Sequence, residues 1–470
     1  MSSLHPAQGA PLADWLAYLE TLHPKAIDLG LDRIRVVAQQ LSLSLDCIKI
    51  TVAGTNGKGS TCAMLDSILL NAGYRVGTYT SPHLLRFNER IRINGEFATD
   101  ERIVEQFERI EAARGETSLT YFEVTTLAAL LLFQAERLDV AILEVGLGGR
   151  LDAVNIIDAD CAILTSVDLD HMAYLGNTRE AIGLEKAHVF RPGAPAICAD
   201  PMPPETVLDY ARQIGADLWR FGQDFNYSGD RQQWAYGGRS QRRSALGYPA
   251  LRGANQLINA SAALAALEAL HPRLVVTQQD VRQGLLHVSL PARMQILPGL
   301  PATILDVAHN PHAVAALGQN LDSMGHYPHT YAVVGMLHDK DIEATLSRIS
   351  RRIDRWMCVT LGGPRGTTAQ ELATIVRRLT QAEAPADPFI AGAVEVGRQA
   401  AGARKPGVRA APRPAVPAHD VTVTTFEDPV QAFADARKLA TDNDRILVFG
   451  SFATVGPVLE ALRLEGRDVI

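Results

Sequence analysis

The strongest chemical signal in the chain surrounds one lysine, in the run Ile50-Thr-Val-Ala-Gly54-Thr55-Asn56-Gly57-Lys58-Gly59-Ser60-Thr61. A β-branched stretch enters a glycine-rich turn, and a lysine with hydroxyl neighbours then opens an apolar helical pattern. Glycines let backbone N–H groups converge on phosphate oxygens, the helix start adds partial positive charge, and the lysine reaches the terminal phosphates. A ligand-free turn is the bland alternative; strand, loop, lysine and hydroxyls together favour a nucleotide loop. The usual GxxxxGK[ST] spacing is not met, because Val52 and Gly59 stand where it requires glycine and a hydroxyl. Three further residues have suitable chemistry. Glu144 nears the end of the apolar run Val140–Val145, His171 follows Asp168 and Asp170, and Lys186 lies in a helical pattern. A strand-end carboxylate suits Mg²⁺, which takes a few protein oxygens beside phosphates and water. Taken singly, Glu144 reads equally as a satisfied carboxylate, while His171 reads rather as a structural histidine and Lys186 as a surface helix lysine.

The elements that must position them alternate. Expected strands are Ile48–Ala53, Val76–Thr80, Val140–Val145, Ala162–Val167 and Pro195–Ala199. Helical patterns cover Gly59–Asn71, Glu101–Ala113 and Thr125–Arg137. Strand–helix alternation argues for βαβ units and a mainly parallel sheet. Gly222–Tyr248 reads instead as small antiparallel strands, and Asn255–Ala269 as an Ala/Leu-rich helix. A second α/β series is expected with strands Thr303–Val307, Thr330–Val334, Trp356–Thr360, Val421–Thr425 and Ile446–Gly450. Pro291, Pro298 and Pro301 punctuate the join. The fold class is therefore α/β, with an N-terminal mononucleotide-binding domain over residues 1–292 and a smaller Rossmann-like domain over 293–470. Residues 401–418, rich in Ala, Pro and Arg, read as a surface insertion.

At 470 residues the chain is long enough for two domains. Its 47% hydrophobic and 21% charged residues suit a globular enzyme. A net charge of −7 offers no basic footprint for nucleic acid. The N-terminus lacks a secretory pattern, and the longest apolar run, Leu127–Phe133, is too short to span a bilayer. The five cysteines are scattered, never CxxC, as in a reducing cytoplasm. A cytoplasmic monomer without membrane or nucleic-acid partners is expected.

The shorter GTNGKGS loop resembles that of the Mur ligase superfamily. Further stretches resemble its folylpolyglutamate synthase/dihydrofolate synthase branch: Thr80-Ser-Pro-His-Leu-Leu-Arg-Phe-Asn-Glu-Arg-Ile, Thr120-Tyr-Phe-Glu-Val-Thr-Thr, Leu143-Glu-Val-Gly-Leu-Gly-Gly-Arg-Leu-Asp-Ala-Val-Asn155, Glu185-Lys186-Ala, Leu305-Asp-Val-Ala-His-Asn-Pro311 and Phe449-Gly-Ser-Phe-Ala-Thr-Val-Gly456. The resemblance runs from about residue 30 to the end, apart from the Ala/Pro insertion. It implies ATP and Mg²⁺ as cofactors, with two ions: Ser81 and Glu144 hold the first, and His171 helps bind the second. It also implies a carbamylated Lys186, whose added CO₂ turns an ammonium donor into an anionic acceptor. Arg293 and Asp306 would lie at the nucleotide, and His309 beside the reacting carboxylate. Asn255 and Gln256 fall near the adenine, where a helix-cap role is the alternative. Thr80, Ser81, Pro82, His83, Tyr121 and Phe122 would form the pterin and aminobenzoate pocket, although Phe122 also reads as an ordinary core ring. Ser451 would touch glutamate. The family usually has Gly at the position of Val307, and often His or Tyr at that of Ala453.

The resemblance thus implies an ATP-dependent ligase joining L-glutamate to dihydropteroate and to the γ-carboxylate of folates. Two other readings share the phosphate loop: a cell-wall ligase acting on a UDP-sugar acid, and a non-catalytic nucleotide switch. The early start of the first strand, at Ile48, leaves little room for a uridine-binding domain before it. The metal and second-domain motifs speak against a switch.

Overall fold

The computed structural model describes residues 5–230, 232–381 and 421–467. The proposed insertion at 401–418 lies outside them. The chain builds two parallel-rich sheets and a small antiparallel one. The first sheet takes β1 (Ile48–Ala53), β2 (Val76–Tyr79), β3 (Ile91–Ile93), β4 (Glu96–Phe97), β5 (Val140–Glu144), β6 (Cys161–Leu164), β7 (Pro195–Cys198) and β8 (Asp217–Arg220). Their spatial order is β4-β3-β2-β5-β1-β6-β7-β8. Strands from β2 through β8 run parallel, while β3 and β4 pair antiparallel at one edge. Successive residues of β5 face opposite cores: Val140 and Ile142 join one apolar cluster, Ala141 and Leu143 the other. Both faces are therefore covered, which is why β5 reads as a continuous apolar run instead of an alternating one.

The three small strands β9 (Asn226–Gly229), β10 (Gln233–Gly237) and β11 (Arg242–Gly247) form an antiparallel meander. The final sheet takes β12 (Gln295–Leu297), β13 (Ala302–Asp306), β14 (Thr330–Val334), β15 (Arg355–Val359), β16 (Thr422–Phe426) and β17 (Arg445–Phe449), in the order β12-β13-β17-β14-β15-β16. All its pairings are parallel except β12 with β13. Apolar clusters cover both of its faces as well. The carboxyl ends of β5, β1 and β6 open toward the carboxyl ends of β13 and β17. Open α/β sheets bind ligands at such strand ends.

Among the described residues, no helix is long and apolar enough to cross a membrane.

Candidate functional site

A cleft of about 570 Å³ lies between the two large sheets. Its floor is the loop of residues 54–60, which ends β1 and starts the helix Lys58–Asn71. Two glycines explain the loop's tightness. A Cβ on Gly54 would fall 1.9 Å from the Thr165 hydroxyl, and Gly57 caps the helix at φ 90°, a left-handed conformation that favours glycine. Residues following β6 brace the loop: Thr55 N–H donates to the Ser166 carbonyl (2.7 Å), and the Thr165 hydroxyl to the Asn56 carbonyl (2.7 Å). The helix opens without a side-chain cap, so its first turn of N–H groups faces the cleft as an anion site would require. Lys58 Nζ folds back onto the carbonyls of Gly54 (3.1 Å) and Thr55 (3.3 Å).

Glu144 ends β5 beside this loop and is 5% exposed. Its carboxylate accepts the Ser81 N–H at 3.2 Å. Burial pushes its pKa up, while Lys58, the Ser81 N–H and Arg293 oppose that rise. Among the described residues no cation lies within ion-pair distance of it, so a desolvated carboxylate is left short of a counter-charge. That is a good fit to a divalent cation. No three His, Cys, Asp or Glu side chains converge into a closed cage among the described residues.

Lys186 is buried, with Nζ 3.1 Å from the Gly54 carbonyl. Burial, then the neighbouring Lys58 charge, pulls its pKa down to about 7 against Asp170 and Asp152. His171 and His309 are each lowered to about 4, mainly by burial. Both face Asp170, whose carboxylate pairs with Lys340 at 2.6 Å. Burial raises the Asp170 pKa, but the Lys340, His171 and His309 charges bring it well below the usual carboxylate range. Arg293 is partly buried and stacks over Phe452 at 5.2 Å; Asp306 accepts the N–H groups of Met294 and Ala308, each at 2.8 Å. Val307 has no positive φ, so a side chain leaves the turn there unstrained, and its carbonyl is bonded to His309 Nδ1 (2.8 Å).

The cleft thus gathers the 54–60 loop, Ser81, Pro82, Glu144, His171, Lys186, Asn255, Gln256, Arg293, Asp306 and His309. Thr80, His83, Phe122 and Ser451 are not in its lining. Thr80 N–H donates to the Arg90 carbonyl (2.9 Å). His83 Nδ1 accepts from Arg90 Nε (2.8 Å), and burial with the Arg90 charge lowers its pKa to about 4. Phe122 lies just beneath Gly146, where a Cβ would meet its ring at 2.5 Å. Ser451 is buried, and its hydroxyl caps the helix Phe452–Leu464 by accepting the Ala453 N–H (3.2 Å). Asn255 stands at the N-cap of Gln256–Ala269 but makes no side-chain cap bond.

Sequence reading missed Lys340, and it named Asn56 and Asp170 and quoted Asn310 without showing that they tie the two sides together. Besides Lys340, Asn310 Nδ2 donates to Asn56 Oδ1 (3.0 Å) and Asp170 Oδ2 (3.2 Å), and Asn56 Nδ2 meets His312 Nδ1 at 3.1 Å. The position of Lys340, in the loop after β14, was the available signal: strand carboxyl ends are where such sheets place their sites.

Two family models match the chain: the Mur ligase middle domain over residues 52–267 and the Mur ligase glutamate ligase domain over 292–452. A dihydrofolate synthase/folylpolyglutamate synthase of Escherichia coli K12 is 48% identical over 368 residues, covering 78% of this chain and 86% of the relative. The chain belongs to this family. The Haemophilus influenzae relative is 39% identical across 97% of this chain and 98% of its own length. Among solved structures, Escherichia coli FolC in complex with DHPP and ADP aligns with a TM-score of 0.86 at 42% identity, covering 98% of this chain and 100% of that one. A bifunctional folylpolyglutamate synthase/dihydrofolate synthase with Mn, AMPPNP and L-glutamate bound gives 0.83 at 42%, covering 98% and 100%. As a dihydrofolate synthase/folylpolyglutamate synthase family member, the chain is an ATP-dependent carboxylate–amine ligase of α/β fold.

Proposed function

We infer that this chain joins L-glutamate to dihydropteroate, forming dihydrofolate, and to the γ-carboxylate of folates, with the interdomain cleft as its active site. The observation that carries the reading is the meeting of the 54–60 loop, Glu144 and Arg293 at one point. A Cβ built on Gly59 would lie 3.8 Å from Glu144 Oε2 and 3.9 Å from Arg293 Nη2. The phosphate loop, a counter-ion-seeking carboxylate and an arginine from the second unit thus surround one space. The nature of the ligands follows the relatives, solved with ADP, AMPPNP, Mn, DHPP and L-glutamate.

We place the unit boundary between residues 292 and 293. The 54–60 amides and Lys58 hold the ATP phosphates, with Arg293 and Asp306 closing over them and Asn255 and Gln256 beside the adenine. The acid's carboxylate oxygen attacks the γ-phosphorus, ADP leaves, and the acyl phosphate is shielded from water between the units. The glutamate amine then attacks the acyl carbon and phosphate departs. Dispersed positive charge from Lys58, Arg293 and the helix start offsets the meeting of two anions. Ser81 and Glu144 would hold one Mg²⁺, and His171 with a carbamylated Lys186 a second; bound metal would neutralise phosphate charge. A pKa near 7 leaves Lys186 a neutral amine fraction able to take up CO₂. His171 Nε2 lies 3.4 Å from Lys340 Nζ, so a metal there would require Lys340 to move aside. Ser81, Pro82, Thr80 and His83, with Tyr121 and with Phe122 behind Gly146, border the pterin acid. His309 stands at the reacting carboxylate, and Ser451 near glutamate. The chain works as a monomer on small molecules alone, without nucleic acid.

The test is ADP release with glutamate present, comparing dihydropteroate, tetrahydrofolate and a UDP-muramyl acid. Stimulation by the two pterin acids alone is expected; stimulation by the UDP-sugar acid alone would overturn the substrate reading.

A further inference from the structure

The loop from Ser81 to Phe87 has two attachments that ATP chemistry does not require. The first is Glu89, on the short 3₁₀ turn Phe87–Arg90. Its carboxylate turns back and accepts three successive backbone N–H groups, from Leu84 (2.7 Å), Leu85 (2.8 Å) and Arg86 (2.7 Å). Charge-assisted bonds of this kind are stronger than neutral ones, and three on one carboxylate fix the path of the loop.

The second attachment comes from the other unit. Leu84 and Leu85 pack on the apolar cluster of the C-terminal sheet, together with Phe452. The Leu84 carbonyl rests on Gly456, in the buried face of the helix Phe452–Leu464: a Cβ there would fall 2.5 Å from that oxygen. Gly456 has no positive φ, and glycine inside a helix costs roughly 1 kcal/mol relative to alanine. Space for the loop, and not backbone conformation, accounts for it. At its start the same loop donates the Ser81 N–H to Glu144. One short segment therefore touches the Glu144 carboxylate at one end and the second unit near its middle.

We propose that Glu89 is a positioning residue for the acid-binding loop, and that Gly456 is the notch through which the second unit holds this loop in register with Glu144. The proposal rests on the reading of residues 80–83 as bordering the pterin acid. Glu89 touches no reacting atom. It acts by presenting Ser81, Pro82 and His83, and Gly456 makes that presentation depend on the two units being together.

The test compares Glu89→Gln, Gly456→Ala and the double variant with the parent protein, reading kcat, the dihydropteroate KM and the Kd of ADP. Glutamine keeps the size but places an NH₂ group against backbone donors; alanine adds only the clashing methyl. Each single variant should raise the dihydropteroate KM by at least about tenfold, as misplacement of substrate does. ADP affinity should stay within about twofold, since the 54–60 loop is untouched. The double variant should be no worse than the poorer single one, because both act through one loop. Amide hydrogen exchange at Leu84–Arg86 should quicken in both singles, including Gly456→Ala, where every Glu89 bond partner is retained. An unchanged KM, a parallel loss of ADP binding, multiplying losses or unchanged exchange at these amides would each overturn the proposal. His83→Ala separates the two layers. If it raises the dihydropteroate KM while Glu89→Gln does not, only this proposal fails; if neither does, the reading of the loop as acid-binding fails with it.

Discussion

At the scale of single residues, the site depends on charges that the cleft withdraws in part from water. Lys58→Ala should lower glutamate-dependent ADP release by about 10²–10³, the usual loss for removing a stabilising charge donor, with an unchanged thermal midpoint. Near-normal turnover in that variant would remove Lys58 from the mechanism. Lys186 carries a second prediction. Carbamates form only from neutral amine, and the neutral fraction of a lysine with pKa about 7 grows roughly tenfold per pH unit below that value. At fixed dissolved CO₂, reactivation of CO₂-depleted protein should therefore steepen from pH 6 to 7 and level off above about 8. Lys186→Arg, whose guanidinium keeps its proton, should show neither reactivation nor a ¹³C carbamate resonance after ¹³CO₂ exposure. Full activity in that variant would exclude the modification from the reaction. Lys58 is legible in sequence because glycine, lysine and hydroxyl spacing has local meaning. Lys340 is not: its partner Asp170 lies far away along the chain, and only folding brings their charges to 2.6 Å.

At the scale of elements, the helix Tyr121–Ala135 shows how local chemistry aims a side chain. Its capping box is complete: the Thr120 hydroxyl accepts the Glu123 N–H (3.2 Å), and Glu123 accepts the Thr120 N–H (2.7 Å). Thr120→Ala should cost about 1 kcal/mol of stability, read as a shift in urea midpoint, and should raise the dihydropteroate KM because Phe122 follows directly. A stability loss with an unaltered KM would mean that the cap does not aim Phe122. Thr120-Tyr-Phe-Glu advertises this cap in the sequence, yet the apolar pattern suggested a helix from Thr125 while the helix starts at Tyr121. Strands β1 and β14 coincide with the expected Ile48–Ala53 and Thr330–Val334, because six and five residues suffice to show a buried strand. Strands β3 and β4, of three and two residues, are too short for any periodicity. Their signal was the Asn94-Gly95 turn, with φ values of 53° and 86°, a favoured hairpin dipeptide.

At the scale of the molecule, the polar contacts between the two parallel-rich units include Lys340 with Asp170, whose side chains are 7% and 10% exposed. Breaking such a pair from one side ordinarily costs about 3–5 kcal/mol, because the remaining charge stays buried. Here two imidazoles provide a relief route. His171 and His309 lie 4.0 and 3.9 Å from Asp170, and Lys340 is among the charges that hold both their pKa values near 4. Lys340→Met should let those values rise, so that at low pH a histidinium replaces the lost ammonium. A group whose folded pKa is raised adds stability below its unfolded pKa, near 6.5 for histidine, and loses it as pH climbs through the folded value. The Lys340→Met penalty, measured from urea midpoints, should therefore be smaller at pH 5.5 than at pH 8. Turnover should fall while ADP binding is largely retained, since the lysine ties the units together and does not line the nucleotide cleft. Adding Asp170→Asn should recover part of the pH 8 stability by removing the stranded carboxylate. An equal penalty at both pH values, with no recovery in the double variant, would mean that this ion pair is not what holds the two units in register.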